Sequence, residues 1–346
     1  MLWVTKLTIT QLLFLILAFA SGLAQALPYS NLVVFGDSLA DSGNNAAVFD
    51  TQIAPPGTPP GTLRTPTPIS SPAFIPQQPY ATDRYSNGPV WVEYLASKIG
   101  LNAKASLLGG TNFAFGGAQT GPGGGSFPFS LTDQVEMYLG GAGGAADGNA
   151  LYVVVGGGND ARAAVDVAAL GGDPTAIIEA YVLNVANILT RLSTAGAQHI
   201  LFVNVPNIGL TPALQTADVF FPGIAGVATG IAASMNSGIN NAIAGLLPSL
   251  SADVVSFDFY ALVTDAVNNP AAFGLADSTS ACAADPACIA HPDDTLFWDG
   301  IHPTTAGHSL IAQAIFAKVP EPSTLALMLL VGLVFVSRRI TWRKRS

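Results

Sequence analysis

Four short apolar runs constrain the fold of this chain more than any other feature: Asn31-Leu-Val-Val-Phe35, Leu151-Tyr-Val-Val-Val155, Ile200-Leu-Phe-Val-Asn-Val205 and Val254-Val-Ser-Phe257. Each reads as a buried strand, and the first runs straight into Gly36 and a turn. Helical patterns lie around them. One opens in Asn87 to Ala96, with Val92, Leu95 and Ile99 on a single face; others span Ala176 to Thr194, Met235 to Leu247 and Thr305 to Ala317. Strands alternating with helices predict an α/β fold, a parallel sheet covered on both faces. No internal repeat and no second core is visible, so one domain is expected between the termini.

The termini are a different kind of sequence. Lys6, the unbroken apolar stretch Leu12 to Ala20 and the small residues Ala24-Gln25-Ala26 have the layout of a secretory signal peptide, residues 1–26; the alternative is an uncleaved anchor helix. At the other end, residues 319–346 run from Val319-Pro-Glu-Pro-Ser323 through the apolar Leu325 to Val336 into a cluster of Arg338, Arg339, Arg343, Lys344 and Arg345. The apolar run is short for a membrane-spanning helix, which needs about 17–25 residues, although Ser323, Thr324 and Ser337 extend it. The basic cluster would hold that end on the cytoplasmic side. A permanent anchor is one reading. The other is a sorting signal, because the order of parts resembles the PEP-CTERM motif of Gram-negative bacteria. That resemblance implies an exosortase as partner, transient anchoring in the inner membrane, cleavage near Pro320–Pro322, and a product at the cell surface or outside it.

Between these ends, residues 27–318 form the expected folded domain. Without the ends, 7 basic and 21 acidic residues remain, a formal charge of −14. Such a body repels phosphate backbones and anionic membranes, which excludes nucleic acid as an expected partner. Cys282 and Cys288, with five residues between them and an oxidising compartment around them, suit a local disulfide; a metal site is disfavoured, since His291 is the one further ligand nearby. Nine prolines between Pro55 and Pro79 rule out regular helix or central strand there. So long a loop either covers a site or is a passive excursion. The glycine-rich stretches Gly121 to Gly125 and Gly140 to Gly148 lack the lysine and strand-to-helix setting of a phosphate loop and read as connections.

Chemistry is concentrated in four short segments. Phe35-Gly-Asp-Ser-Leu-Ala-Asp-Ser-Gly-Asn-Asn45 places Ser38 just beyond the first strand, where open α/β sheets bind ligands, and near the start of a helix. Ser38 is then a nucleophile, or Ser38 or Asp37 is a helix cap; the absence of a Gly-x-Ser-x-Gly elbow argues against an α/β-hydrolase fold. In Asp299-Gly-Ile-His-Pro303, the Asp299 carboxylate can hold Nδ1–H of His302 and leave Nε2 for a serine. The other possibility is an Asx-turn beside a surface histidine. His199 and His308 read as structural or exposed, and His291 is the second candidate base. A glycine pair and a run of three glycines complete the set. Thr111 to Ala118 brings Gly116 and Gly117, and Gly156-Gly-Gly-Asn-Asp160 brings Asn159; each can supply an N–H donor to an oxyanion or be an ordinary turn or helix start.

FGDSLADSGNN, NFAFGG, GGGND and DGIHP, in this order, resemble the sequence blocks of the SGNH (GDSL) hydrolases, and RYSNGPVWVEYLA and FWDGIHPTTAGH are similar to their lipase/esterase branch. The resemblance spans about Asn31 to Ala317. It implies a flavodoxin-like three-layer α/β/α sandwich with five parallel strands, and no metal or organic cofactor. It makes Ser38 the nucleophile, His302 the base and Asp299 its orienting carboxylate, with Ser38, Gly117 (or Gly116) and Asn159 as oxyanion donors. The implied activity is hydrolysis of a lipid or short-chain acyl ester, or alternatively of an O-acetylated polysaccharide. A matrix protein that keeps the fold without catalysis is the reading from another class.

Overall fold

The four apolar runs become β1 (Leu32–Phe35), β2 (Leu151–Val155), β3 (His199–Val203) and β4 (Asp253–Phe257). In the computed structural model, which describes residues 29–319, they join in that order as one parallel sheet. Leu32 lies opposite Leu151, Leu151 opposite His199, and His199 opposite Asp253. The strands therefore start and end level, and their carboxyl ends share one rim.

Four regular strands stand where five are expected. The fifth place, outside β1, is taken by residues 111–115. Val34 N–H donates to Thr111 O (3.1 Å), Phe113 N–H to Val34 O (2.7 Å) and Phe115 N–H to Gly36 O (3.1 Å). This segment does not extend into a regular strand, because its outer side pairs only at Ala105 and the Asn112 amide turns back to bond Ala40 O and Ser42 Oγ. Counting it, the order is 111–115, β1, β2, β3, β4, the flavodoxin-like arrangement. The chain leaves β1 toward one edge and returns to its other side at β2, so the strand order reverses beyond Phe35 and Val155, where such sheets hold their ligands.

The helices are α1 (Asn44–Val48), α2 (Trp91–Lys98), α3 (Leu131–Gly141), α4 (Gly158–Ala169), α5 (Thr175–Ala195), α6 (Pro212–Phe220), α7 (Ile224–Leu246), α8 (Phe259–Asn268), α9 (Pro286–Ala290) and α10 (Thr305–Phe316). Val33, Phe35, Tyr152, Val154, Ile200 and Phe202 share one core with residues of α3, α4, α5 and α7. Strand alternation turns Leu32, Val34, Val153 and Leu201 to the other face, where they too are buried, and α2 packs on α10. The result is the three-layer sandwich. α7 begins at Ile224, well before Met235, because the intervening Ala, Gly and Thr carry too little apolar periodicity to mark a helix.

Residues 31–318 make one compact unit. A separate pair of parallel strands, β5 (Asp277–Ala281) and β6 (Thr295–Phe297), leads into Trp298 and Asp299. Among the described residues no helix is long and apolar enough to cross a membrane. The signal peptide at residues 1–26 and the apolar run Leu325 to Val336 lie outside the described residues.

Candidate active site

β1 ends at Phe35 and the chain turns at once: Asp37 O accepts N–H from Ala40 and Asp41, and Asp37 Oδ1 accepts N–H from Leu39 (3.0 Å). Ser38 sits in this turn. It is not near the start of a helix, since α1 begins at Asn44. Nor is it a cap, because Ser38 Oγ lies 2.8 Å from His302 Nε2. The helix that begins at this rim is α4, whose N-cap, Gly157, has φ 105° and uses no capping side chain. A Cβ at position 157 would run into Tyr181 and Val205. Glycine alone lets β2 turn into α4 this tightly.

Asp299 and His302 form the local pair expected of their spacing. His302 Nδ1 is 2.8 Å from Asp299 Oδ2 and 3.0 Å from Oδ1, while Oδ1 also accepts N–H from Ile301 (2.9 Å) and His302 (2.8 Å). With Nδ1 facing a carboxylate, the proton sits there and Nε2 offers its lone pair to the Ser38 hydroxyl. The Asx-turn alternative is thus also present, in the same residues. All three side chains are buried: Ser38 is 8 % exposed, His302 2 % and Asp299 0 %.

Tyr80, which carried no signal in the sequence, donates its hydroxyl to Asp299 Oδ2 (3.0 Å). Burial and the adjacent Asp299 raise the Tyr80 pKa, so the phenol keeps its proton. Tyr80 closes the proline-rich excursion, which is fastened to the site. Gly300 N–H donates to Phe74 O (2.9 Å), Ile69 N–H to Ala283 O (2.9 Å), and Ala283 N–H to Trp298 O (2.8 Å). Ala283 belongs to the loop tied by the Cys282–Cys288 disulfide, and Ile69, Tyr80, Cys282 and Trp298 share one small core. The Ser-Asn-Gly-Pro motif acts from the other side: Ser86 Oγ bonds Pro303 O (2.9 Å) and Asn87 Oδ1 accepts Thr305 N–H (2.7 Å).

Asp41, Asn44 and Asn45 knit the Ser38 turn to the glycine loop. The Asp41 carboxylate accepts N–H from Gly43, Asn44, Asn45 and Gly116 at 2.7–3.2 Å. Asn44 Nδ2 bonds Asn112 O and Ala114 O, and Asn45 Nδ2 bonds Gly116 O (2.9 Å) and the Tyr85 hydroxyl (2.6 Å). Gly116 N–H is therefore spent on Asp41. Gly117, at φ 86°, has no N–H partner among the described residues, and neither has Ser38. Asn159 Nδ2 gives one hydrogen to Ala118 O (2.9 Å) and Oδ1 faces Arg162 Nη1 (3.5 Å), which leaves its second amide hydrogen unused. Burial pushes the carboxyls of Asp37 and Asp41 up to about 6.

Two clefts meet at Ser38, Asn159, Arg162, Ile301 and His302. One, about 50 Å³, is walled by Ile208, Leu214, Phe259, Val263 and Phe297. The other, about 320 Å³, is lined by Asn45, Gln77, Gln78, Gly117 and Phe127. The remaining histidines do not join them. His308 is fully buried, accepts Trp91 N–H at Nδ1 (3.2 Å), and is pushed down to about 3 by burial, so it stays neutral; His291 ends α9 in the cysteine loop.

The sequence profile of the GDSL-like Lipase/Acylhydrolase family matches residues 32–315, and that of the PEP-CTERM protein-sorting motif matches residues 318–345. Esterase EstA of Pseudomonas aeruginosa is 28% identical over 340 residues, covering 87% of this chain and 48% of its own length. An uncharacterised Pseudomonas putida protein from the trpE-trpG intergenic region is also 28% identical, over 91% of this chain and 52% of its own. The chain thus spans about half the length of these curated relatives. A GDSL esterase/lipase of Arabidopsis thaliana is 25% identical over 83% of this chain and 88% of its own. Among solved structures, an acetylxylan esterase from Geobacillus stearothermophilus superposes at TM-score 0.40 with 13% identity, covering 86% of this chain and 97% of its own.

Proposed function

Since the chain belongs to the GDSL-like lipase/acylhydrolase family, we propose that it is an exported serine ester hydrolase acting through an acyl-Ser38 intermediate. The observation that carries this reading is the relay from Ser38 Oγ to His302 Nε2 (2.8 Å) and from His302 Nδ1 to Asp299 (2.8 Å), opening on two clefts.

His302 Nε2 takes the hydroxyl proton as Ser38 Oγ bonds to the ester carbonyl carbon. The carbonyl oxygen becomes an oxyanion held by Ser38 N–H, Gly117 N–H and the free Asn159 amide hydrogen. Asp299 stabilises the imidazolium. When the C–O bond to the alcohol breaks, His302 gives its proton to the departing oxygen. Water then attacks the acyl-serine with His302 as base; the acid leaves and Ser38 regains its proton. No metal or cofactor enters any step.

The narrow apolar cleft, about 50 Å³, favours a short acyl group. That supports acetyl- to butyryl-esters, including O-acetyl groups on a polysaccharide, over long-chain lipid. A panel of 4-nitrophenyl esters tests this: kcat/KM is expected to be highest from acetate to butyrate and to fall for palmitate, and Ser38→Ala to lower kcat by at least about a thousandfold. Unchanged turnover in that variant would mean a different nucleophile, or a fold without this catalysis. The match to the sorting motif supports export, with residues 1–26 removed as a signal peptide and the C-terminal segment handled by an exosortase.

A further inference from the structure

Four arginines lie among the described residues, and three are paired with carboxylates. Arg64 bonds Asp50 (2.8 Å) and Asp83 (2.9 Å), Arg84 bonds Glu93 (2.6 Å), and Arg191 bonds Glu136 (2.8 Å). Arg162 has no such partner. It is half-buried in the second turn of α4, and its one hydrogen bond is the 3.5 Å contact from Nη1 to Asn159 Oδ1. Three residues apart on a helix, Asn159 and Arg162 share a face, and both line the two clefts that meet at Ser38.

The carboxylates nearby are otherwise engaged. Asp299 is held by His302 and Tyr80, Asp160 by Thr120 N–H and hydroxyl, and Asp37 by Leu39 N–H. Asp166 is exposed one turn along α4 and lies outside ion-pair distance. A guanidinium carries five N–H donors in a planar fork, and most of this fork is left unspent inside a binding cleft. In a body of strongly negative charge, that is a local invitation to an anion.

We propose that Arg162 recognises an oxyanion, carboxylate or phosphate, carried by the alcohol portion of the substrate. This rests on the acyl-Ser38 reading. The alcohol side is favoured because the cleft of about 50 Å³ is walled largely by Ile208, Leu214, Phe259 and Val263, against which an anion would shed its water. The larger cleft adds the amides of Gln77 and Gln78. The substrate is then an acidic acylated alcohol, a uronate-like or phosphorylated one.

Matched esters test the assignment. The charged probes are 4-acetoxybenzoate and 4-acetoxyphenyl phosphate, against neutral phenyl acetate; for the acyl side, 4-nitrophenyl hydrogen glutarate is set against 4-nitrophenyl pentanoate. Wild type is expected to prefer the charged acetates, and the charged-to-neutral kcat/KM ratio to fall at least about tenfold in Arg162→Gln, mainly through KM. The two charged acetates separate the carboxylate source from the phosphate source. Arg162→Lys should recover part of the ratio, since it keeps the charge and loses the fork. Benzoate should inhibit phenyl acetate hydrolysis competitively in wild type and more weakly in Arg162→Gln. Equal proportional losses on charged and neutral esters would overturn the proposal and leave Arg162 a support for Asn159. A preference for the glutarate ester alone would overturn its placement on the alcohol side. Failure of the underlying reading would look different: Ser38→Ala would then hydrolyse every probe.

Discussion

Asp37 adjoins Ser38 and meets a different physical problem: the residue is 2 % exposed, and its carboxylate accepts N–H from Leu39. Burial pushes its pKa from 3.8 up to about 6, as it does for Asp41. Between these two values the folded protein keeps protons that the unfolded chain has released. The stability contributed by the pair is therefore present below about pH 4 and falls as pH rises through 6. Asp41 spreads its charge over four N–H donors, so replacing it would break the loop. Asp37 is the cleaner probe. In denaturant unfolding, Asp37→Asn should match wild type near pH 4 and exceed it by about 1–3 kcal/mol at pH 8, where the buried charge is fully formed. An identical pH profile for the two proteins would mean that the Asp37 charge is already compensated.

At the scale of elements, the proline-rich segment decides how firmly the base is held. The sequence left open whether it covers a site or wanders. Its Phe74 carbonyl bonds Gly300, its Tyr80 hydroxyl bonds Asp299, and Gln77 and Gln78 line the larger cleft. It is a wall and a brace, anchored in turn by the disulfide loop through Ala283. Tyr80→Phe removes a bond to a buried carboxylate and should cost about 1.5–3 kcal/mol of unfolding free energy, read from denaturant melts. With the Asp299 anchor weakened, kcat for 4-nitrophenyl acetate is expected to fall about tenfold, or about 1.4 kcal/mol, with KM little changed. A loss of stability with no change in kcat would make Tyr80 a packing residue alone.

For the whole molecule, the sorting motif at residues 318–345 predicts that the mature protein ends near Pro320–Pro322. Intact-mass analysis of protein from the native envelope or medium should lack Arg343 to Arg345, and a mass that includes them would point to a permanent anchor. The layered α/β fold, the strand-end place of Ser38 and the Asp299–His302 pair were legible in the sequence, because strand runs, helix periodicity and two residues three apart in one turn are local properties. Residues 111–115 were not legible as the outer strand, since only the position of β1 gives their backbone a partner. Tyr80 and Arg162 were equally silent. A tyrosine hydroxyl gains its meaning from a carboxylate 219 residues away, and an arginine from the carboxylates it does not reach. Ser38 shows the division most plainly. Its local sequence placed it at the end of a strand as either cap or nucleophile, and the family resemblance chose the nucleophile; only the tertiary fold, by bringing an imidazole 264 residues distant to 2.8 Å, decided what its hydroxyl bonds.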